Sequence, residues 1–497
     1  AAPSTRFSLM GEPRTPREPP VERDRAIAGG LDLVVAGGSL VTPEGVYPAD
    51  VGVAAGRIAV LGAPGSLSGA NTVDARGLHI FPGVIDPHTH PGNLRPFEQD
   101  IAEETLAAAA GGITAILGTI KCTRMGQPFR EVTTAEDVCS YHEVFPLARA
   151  AVEGQAHVDV GFSYIIMDAR HSREIPEYTE RHGVQSFKFF VGNAGPSPWS
   201  GRVGMPVLGD DGVHYLGFRE AARVGALAMI HAENQQVARL LRAELAAEAA
   251  DLNAWARHSP GWLEAEAVSR AAAFAAQTGA RLYAVHLTSA EGAAAVARAK
   301  AERPGQVLGE TCPQYLVLND RHPAGLLAKC APPIHGPEDN EALWRALADG
   351  TIDCVGSDHI HQSRARKVVE GDVWRTNAGV PGHETLLPLL LSARRLSLPR
   401  VAAVTSANPA RAFGLWPRKG AVAVGFDADL TLVDLGRRRV VHAADLVTSA
   451  DFSPYEGMEL SGWPVLAILR GRVIMQDGQP IGAPTGRYLG RDKPCET

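Results

Sequence analysis

Two histidines one residue apart, His88 and His90, close an apolar run, His79-Ile-Phe-Pro-Gly-Val-Ile-Asp-Pro-His-Thr-His. A strand repeats its side-chain direction every second residue, so two such imidazoles face the same way and can grip one metal ion. Alone, His-x-His is a weak signal, and a pair of ordinary loop histidines reads the same. Further residues of the same kind follow other strand-like runs. Lys188 lies in Gln185-Ser-Phe-Lys-Phe-Phe-Val, His231 in Met229-Ile-His-Ala-Glu, His286 in Ala284-Val-His-Leu-Thr-Ser and Asp358 in Val355-Gly-Ser-Asp-His. Singly, His231 or His286 reads as a hydrogen-bonded core histidine. Four histidines, an aspartate and a lysine at five strand ends together point to a metal site.

Lys188 is flanked by Phe187, Phe189 and Phe190. A lysine is almost never fully buried unless paired, and burial lowers its pKa towards a neutral, nucleophilic amine. Such an amine adds carbon dioxide to form a carbamate, an anion able to bridge two cations. Amides are poor electrophiles with poor leaving groups. Two divalent ions ~3.5–4 Å apart lower the pKa of a bridging water and polarise the carbonyl. The imidazole and carboxylate ligands suit Zn²⁺, and Mn²⁺ or Co²⁺ fits the same N/O site. An aspartate there can take a proton from the hydroxide and return it to the leaving nitrogen.

The elements that must position these groups alternate. Strands are expected over 80–85, 113–117, 158–166, 184–191, 226–230, 282–285, 306–309 and 354–356, and helices over 98–110, 135–152, 263–278, 290–302 and 338–348. Helical spacing of apolar residues, as in Ala267, Ala271, Phe274 and Ala275, supports the latter. Alternation implies parallel strands, and eight units fit an α/β fold of the (β/α)8 TIM-like barrel type, with chemistry at the C-terminal strand ends. An open doubly wound sheet is the second choice, but no Gly-x-Gly-x-x-Gly turn follows the first strand. Short glycine-punctuated strands occupy 31–78 and return over 420–480, so both ends are expected to build one small β-sandwich around a 79–419 barrel. Residues 1–30, rich in Pro and Arg, read as a flexible arm, and 481–497 as a C-terminal tail.

The 497 residues are 45% hydrophobic, with a formal net charge of −7. That balance offers no basic field for nucleic acid or an anionic membrane. No apolar run approaches the ~20 residues of a membrane span. Cys122, Cys139, Cys312, Cys330, Cys354 and Cys495 are scattered, which suits a reducing, cytoplasmic setting.

The motifs resemble the cyclic amidohydrolase branch of the amidohydrolase superfamily, which includes dihydropyrimidinase/hydantoinase, allantoinase and dihydroorotase. The resemblance spans about residues 31 to 480. It rests on Pro82-Gly-Val-Ile-Asp-Pro-His-Thr-His, Ser186-Phe-Lys-Phe-Phe, Ile230-His-Ala-Glu-Asn, Val285-His-Leu-Thr-Ser, Gly309-Glu-Thr-Cys-Pro-Gln-Tyr-Leu, Lys329-Cys-Ala-Pro-Pro, Gly356-Ser-Asp-His and Ala378-Gly-Val-Pro-Gly. It implies that His88, His90 and Asp358 bind one metal, that His231 and His286 bind the second, and that carboxylated Lys188 bridges both. Asp358 is then also the proton shuttle. The implied substrate is a small cyclic amide or ureide, and the implied assembly a homodimer or homotetramer. Non-enzymatic relatives have lost metal ligands, whereas all six are present here.

Implied substrate contacts include backbone groups near Thr311 and an asparagine ahead of the Gly-x-Pro-Gly turn. Here Asn377 stands one residue too early, and Ala378 takes the aligned place. The tyrosine that such enzymes carry five residues after the bridging lysine is Asn193. Asn193 itself, or Tyr164 near the end of the third strand, is the alternative donor to a developing oxyanion. The arginine that dihydroorotases place two residues after His-x-His is Gly92. Arg95 is the nearby cation for an anionic substituent, unless it is an ordinary solvated loop residue. The segment 193–211, with Trp199, Met205 and many Gly and Pro, reads as a mobile lid.

Overall fold

The computed structural model describes residues 30–122, 138–191, 210–246 and 249–490. Eight parallel strands follow one another in sequence order: Val84–Thr89, Ile113–Ile120, Asp159–Ile165, Ser186–Val191, Leu227–Ala232, Arg281–Ala284, Val307–Thr311 and Cys354–Val355. They are the first to eighth barrel strands below. The ring closes where the chemistry is expected. Asp358 N donates to His88 O (2.9 Å) and His90 N to His359 O (3.0 Å). Asp86 Oδ1 adds a clamp, accepting from the backbone N of both Ser357 and His88.

Strand alternation sorts the side chains. Ala115, Leu117, Leu227, Met229, Tyr283 and Cys354 fill the barrel floor. Ile116, Ile120, Phe162, Tyr164, Phe187 and Phe189 pack outward under the helices. Lys188 is flanked by aromatics because Phe187 and Phe189 face the helix layer while it faces the barrel axis. Helices run where expected, including Ala290–Glu302 and Gly261–Thr278. The helix expected from 135 starts at Tyr141, where Ser140 and Glu143 form a capping box; residues 135–137 lie outside the described residues.

The expected strand 80–85 is two strands. His79–Pro82 pairs with Leu33–Thr42 and Leu430–Val440 in a second sheet, and the first barrel strand starts at Val84. Gly83 is the switch. Its N–H donates to Asp429 O (2.8 Å), and a Cβ here would lie 2.2 Å from Thr114 Oγ1. This second, mainly antiparallel sheet has nine strands, drawn from 33–82 and 430–480, so both chain ends build it as one continuous hydrogen-bonded sheet. The chain beyond 481 is partly built in. Val160 in the third barrel strand donates to Arg487 O and accepts from Leu489 N.

Lys419 joins sheet and barrel. Its buried Nζ lies 2.5 Å from Asp429, 2.8 Å from Asp159 and 3.2 Å from Asp427, and the carboxylates around it raise its pKa against the pull of burial. Removing one partner of a buried ionic network leaves charge uncompensated, at a cost of about 3–5 kcal/mol. Lys419→Met is expected to lower the urea unfolding midpoint accordingly, and an unchanged midpoint would contradict this role. Among the described residues no helix is long and apolar enough to cross a membrane.

Candidate metal centre

Five strand ends bring the six expected ligands together. His88 and His90 close the first barrel strand, Lys188 sits within the fourth and His231 within the fifth. His286 and Asp358 follow the sixth and eighth. The last two take left-handed backbone, with φ of 39° and 50°. Such values in non-glycine residues store strain, and they turn both side chains inward just where the strands stop.

The contacts are close. Asp358 Oδ1 lies 2.9 Å from His90 Nε2 and 3.5 Å from His88 Nε2. Lys188 Nζ lies 2.6 Å from His88 Nε2, and His231 Nδ1 lies 2.9 Å from His286 Nε2. The His88 and His90 rings are inclined by 55°, and those of His231 and His286 by 77°, so their lone pairs can converge. Asp358 Oδ1 is buried without a hydrogen-bond donor. Burial lowers Lys188 to about 8 and His88 to about 3, which leaves the imidazole neutral, as a ligand must be.

Two acids that the ligand set passes over hold the ring orientations. Glu310 Oε1 accepts from His88 Nδ1 (2.9 Å) and from His286 N (3.1 Å), and Oε2 accepts from Tyr283 Oη (2.8 Å). The proton on Nδ1 leaves His88 Nε2 as the lone pair facing the centre. Glu233 Oε2 plays the same part for His231 Nε2 at 3.2 Å. Such outer carboxylates fix tautomers and strengthen ligands. Both stand in segments quoted above, Gly309-Glu-Thr and Ile230-His-Ala-Glu, but only burial reveals their task. Glu310→Gln is expected to weaken metal binding about 10- to 100-fold, read by chelator competition. Wild-type affinity in that variant would remove Glu310 from the site.

These observations fit a divalent-metal centre: neutral imidazoles with fixed tautomers, a donorless buried carboxylate oxygen and a buried amine. The amidohydrolase family model matches residues 79–474. The chain belongs to the amidohydrolase family. It is 36% identical to an allantoinase of Rubrobacter xylanophilus, over 92% of this chain and 97% of that one. It is 34% identical to a D-hydantoinase of Rhizobium radiobacter, over 93% and 99%. Among solved structures, an L-hydantoinase (dihydropyrimidinase) from Arthrobacter aurescens superposes with a TM-score of 0.81 at 31% identity, covering 93% of this chain and all of that one. These relatives place the chain in the cyclic amidohydrolase branch.

Among the described residues a second cluster, Glu104, His359 and His383, also gathers metal-grade atoms. Its rings argue against a metal. His359 and His383 stack at 3.7 Å with planes 5° apart, and in-plane lone pairs of parallel rings cannot converge on one ion. Gly382 N–H donates to His359 Nδ1 (3.1 Å), which puts that ring's proton on Nε2, 3.0 Å from Glu104 Oε2. Glu104 also accepts from Thr448 and Ser449. His383 Nδ1 lies 3.2 Å from Glu104 O, while the Nε2 atoms of His359 and His383 are buried without a hydrogen-bond partner.

The candidate substrate contacts are placed less uniformly. Thr311 ends the seventh strand with its hydroxyl donating to Leu287 O (2.7 Å). Asn377 donates its side-chain amide to Arg366 O (2.7 Å). Tyr164 faces the helix layer, stacked on Tyr141 at 3.9 Å with its hydroxyl 3.0 Å from His182 Nδ1, away from the ligand cluster. Arg95 is not a solvated residue: its guanidinium contacts Asp100 (2.7 Å), Glu103 (2.6 Å) and Glu104 (3.4 Å) at the start of the first helix, Phe97–Ala110. Asn193, Trp199 and Met205 lie outside the described residues.

Proposed function

We propose that the protein is a binuclear metal-dependent hydrolase that opens a cyclic amide or ureide ring, of the hydantoinase/dihydropyrimidinase kind. The observation that carries this reading is the convergence of His88, His90, Lys188, His231, His286 and Asp358 at five strand ends. Two divalent ions, Zn²⁺ by ligand type with Mn²⁺ or Co²⁺ as substitutes, would acidify a water and polarise the ring carbonyl. His88, His90 and Asp358 would hold one, His231 and His286 the other, and Lys188, carboxylated, both.

The rest falls to the protein. Asp358 takes the proton of the attacking water and delivers it to the ring nitrogen as the C–N bond breaks. Glu310 and Glu233 keep the imidazoles from rotating out of line. Backbone groups around Thr311 orient the ring, with Asn193 and Asn377 as further contacts. The 36% identity to an allantoinase supports a second reading, in which the substrate is allantoin or another cyclic imide or lactam. The family resemblance supports a homodimer or homotetramer, and the scattered thiols support a cytoplasmic location.

The test is a panel assay of metal-loaded protein on hydantoins, dihydrouracil, allantoin, cyclic imides and lactams. Chelator-sensitive opening of at least one ring is expected. Protein carrying two metal equivalents that opens none of them would overturn the proposal.

A further inference from the structure

We propose that Cys122 and Cys139 form a redox modification site: hydrogen peroxide oxidises the pair to a disulfide that ties the end of the second barrel strand to the start of the next helix. The site needs no metal and no ring substrate.

Cys122 follows the second barrel strand, Ile113–Ile120, and Cys139 stands just ahead of Ser140, the N-cap of the helix Tyr141–Gln155. Both are free thiols, Cys122 buried and Cys139 partly exposed. Their main chains touch, with Cys139 N–H donating to Cys122 O (3.3 Å). Residues paired across a sheet by such bonds stand about 5.5 Å apart at Cα, and disulfides span about 4.4–6.8 Å. The side chains converge as well. Cys122 Sγ lies 3.8 Å from His171 Nδ1, and His171 Nε2 donates to Cys139 O (2.9 Å), so one imidazole spans the pair. Burial raises the Cys122 thiol well above its ordinary range, and a charge on Cys139 raises it further, so the two sulfurs sense each other.

The two thiols have different work. Among the described residues Cys139 is the cysteine with solvent access, while Cys122, Cys312, Cys330 and Cys354 are buried. Arg170 donates to Val138 O (2.9 Å), and the positive end of the helix dipole starts one residue on. A partly exposed sulfur in such surroundings is the reactive kind. Asp168 is the opposing charge, and its Oδ1 accepts from His171 N (2.8 Å). Cys139 sulfur attacks the peroxide: an S–O bond forms, the O–O bond breaks and hydroxide leaves. Cys122 sulfur then attacks that sulfenic sulfur, so the S–S bond forms and the S–O bond breaks. His171 takes the Cys122 proton. Burial keeps its ring neutral, Nε2 carries the proton that Cys139 O accepts, and the Nδ1 lone pair is shared between Met167 N–H (3.3 Å) and the Cys122 thiol. The proton leaves with the hydroxyl group as water. Two thiols and one peroxide give one disulfide and two waters, with two electrons passing from sulfur to oxygen.

The experiment treats the full chain, freed of reductant, with a small excess of hydrogen peroxide. Free thiols are expected to fall by two from the six per chain. Non-reducing peptide mapping should find Cys122 joined to Cys139, and dithiothreitol should part them. Cys122→Ser should stop at the sulfenic acid of Cys139, trapped by dimedone, and Cys139→Ser should leave Cys122 reduced over the same time. His171→Gln should slow the disulfide about 10-fold or more while the sulfenic acid accumulates. Circular dichroism checks the fold of each variant, and if Cys122→Ser does not fold, Cys122→Ala takes its place. Wild-type thiols that stay reduced, a Cys139 that goes on to sulfinic acid with no disulfide, or a disulfide to Cys495 instead overturns the proposal.

Discussion

Lys188→Ala is expected to drop bound metal from about two equivalents per chain to below one, and turnover by about 10³-fold or more. The truncation removes the side chain proposed to bridge both halves of the centre. It leaves His88 Nε2, now 2.6 Å from the lysine, facing a void. Acetate or propionate supplied with metal should restore part of the activity, because either can place a carboxylate in that void. Wild-type turnover in the variant would remove the bridging role.

The same lysine sets a pH dependence. Burial holds its pKa at about 8, below the ordinary value of 10.5. Only the free base adds carbon dioxide. At pH 7 the shift enlarges the free-base fraction roughly 300-fold. Reconstitution of metal-free protein with Zn²⁺ at a constant concentration of dissolved carbon dioxide should therefore speed up from pH 7 to pH 9 and level off above. A rate that is flat over that range, or that falls, would contradict carbamate formation at Lys188.

How far the sequence could be followed depends on what each feature needs. Strand ends were legible because apolar runs stop where polar ligands start, and period 2 aims His88 and His90 together. The break at Gly83 was marked by the Pro82-Gly83 pair inside the run from Ile80 to Ile85, but its partner was not: Gly83 N–H is held by Asp429 O, far along the chain. Arg95 was misplaced for a reason that could have been read. Asp100, Glu103 and Glu104 have the 3–4-residue spacing of one helix face, which makes them natural partners for a cation just ahead of that helix. Tyr164 shares the outward parity of Phe162, so strand alternation already turned it away from the centre. Glu310 sat inside a quoted motif, but its task depends on full burial and on three donors from two other strand ends, which spacing does not encode.

Asp358→Asn separates charge from backbone at one of the two left-handed ligand residues of the site. With φ at 50°, position 358 holds the left-handed conformation that aspartate and asparagine tolerate better than other side chains. Its N–H closes the barrel onto His88 O, so the conformation is built into the seam. Asparagine should keep both, with unfolding close to wild type. It removes the negative oxygen that lies 2.9 Å from His90 Nε2, and with it the proposed proton shuttle. Turnover at saturating Zn²⁺ should fall about 10²- to 10⁴-fold. Asp358→Ala should lose as much activity and, in addition, about 1–2 kcal/mol of stability, because alanine has no side-chain oxygen to ease the left-handed turn. Equal stability for the two variants would mean that the seam relaxes and the strain is not held. Activity within a few-fold of wild type in Asp358→Asn would mean that the proton passes through another group, and the case for Asp358 as the shuttle would end there.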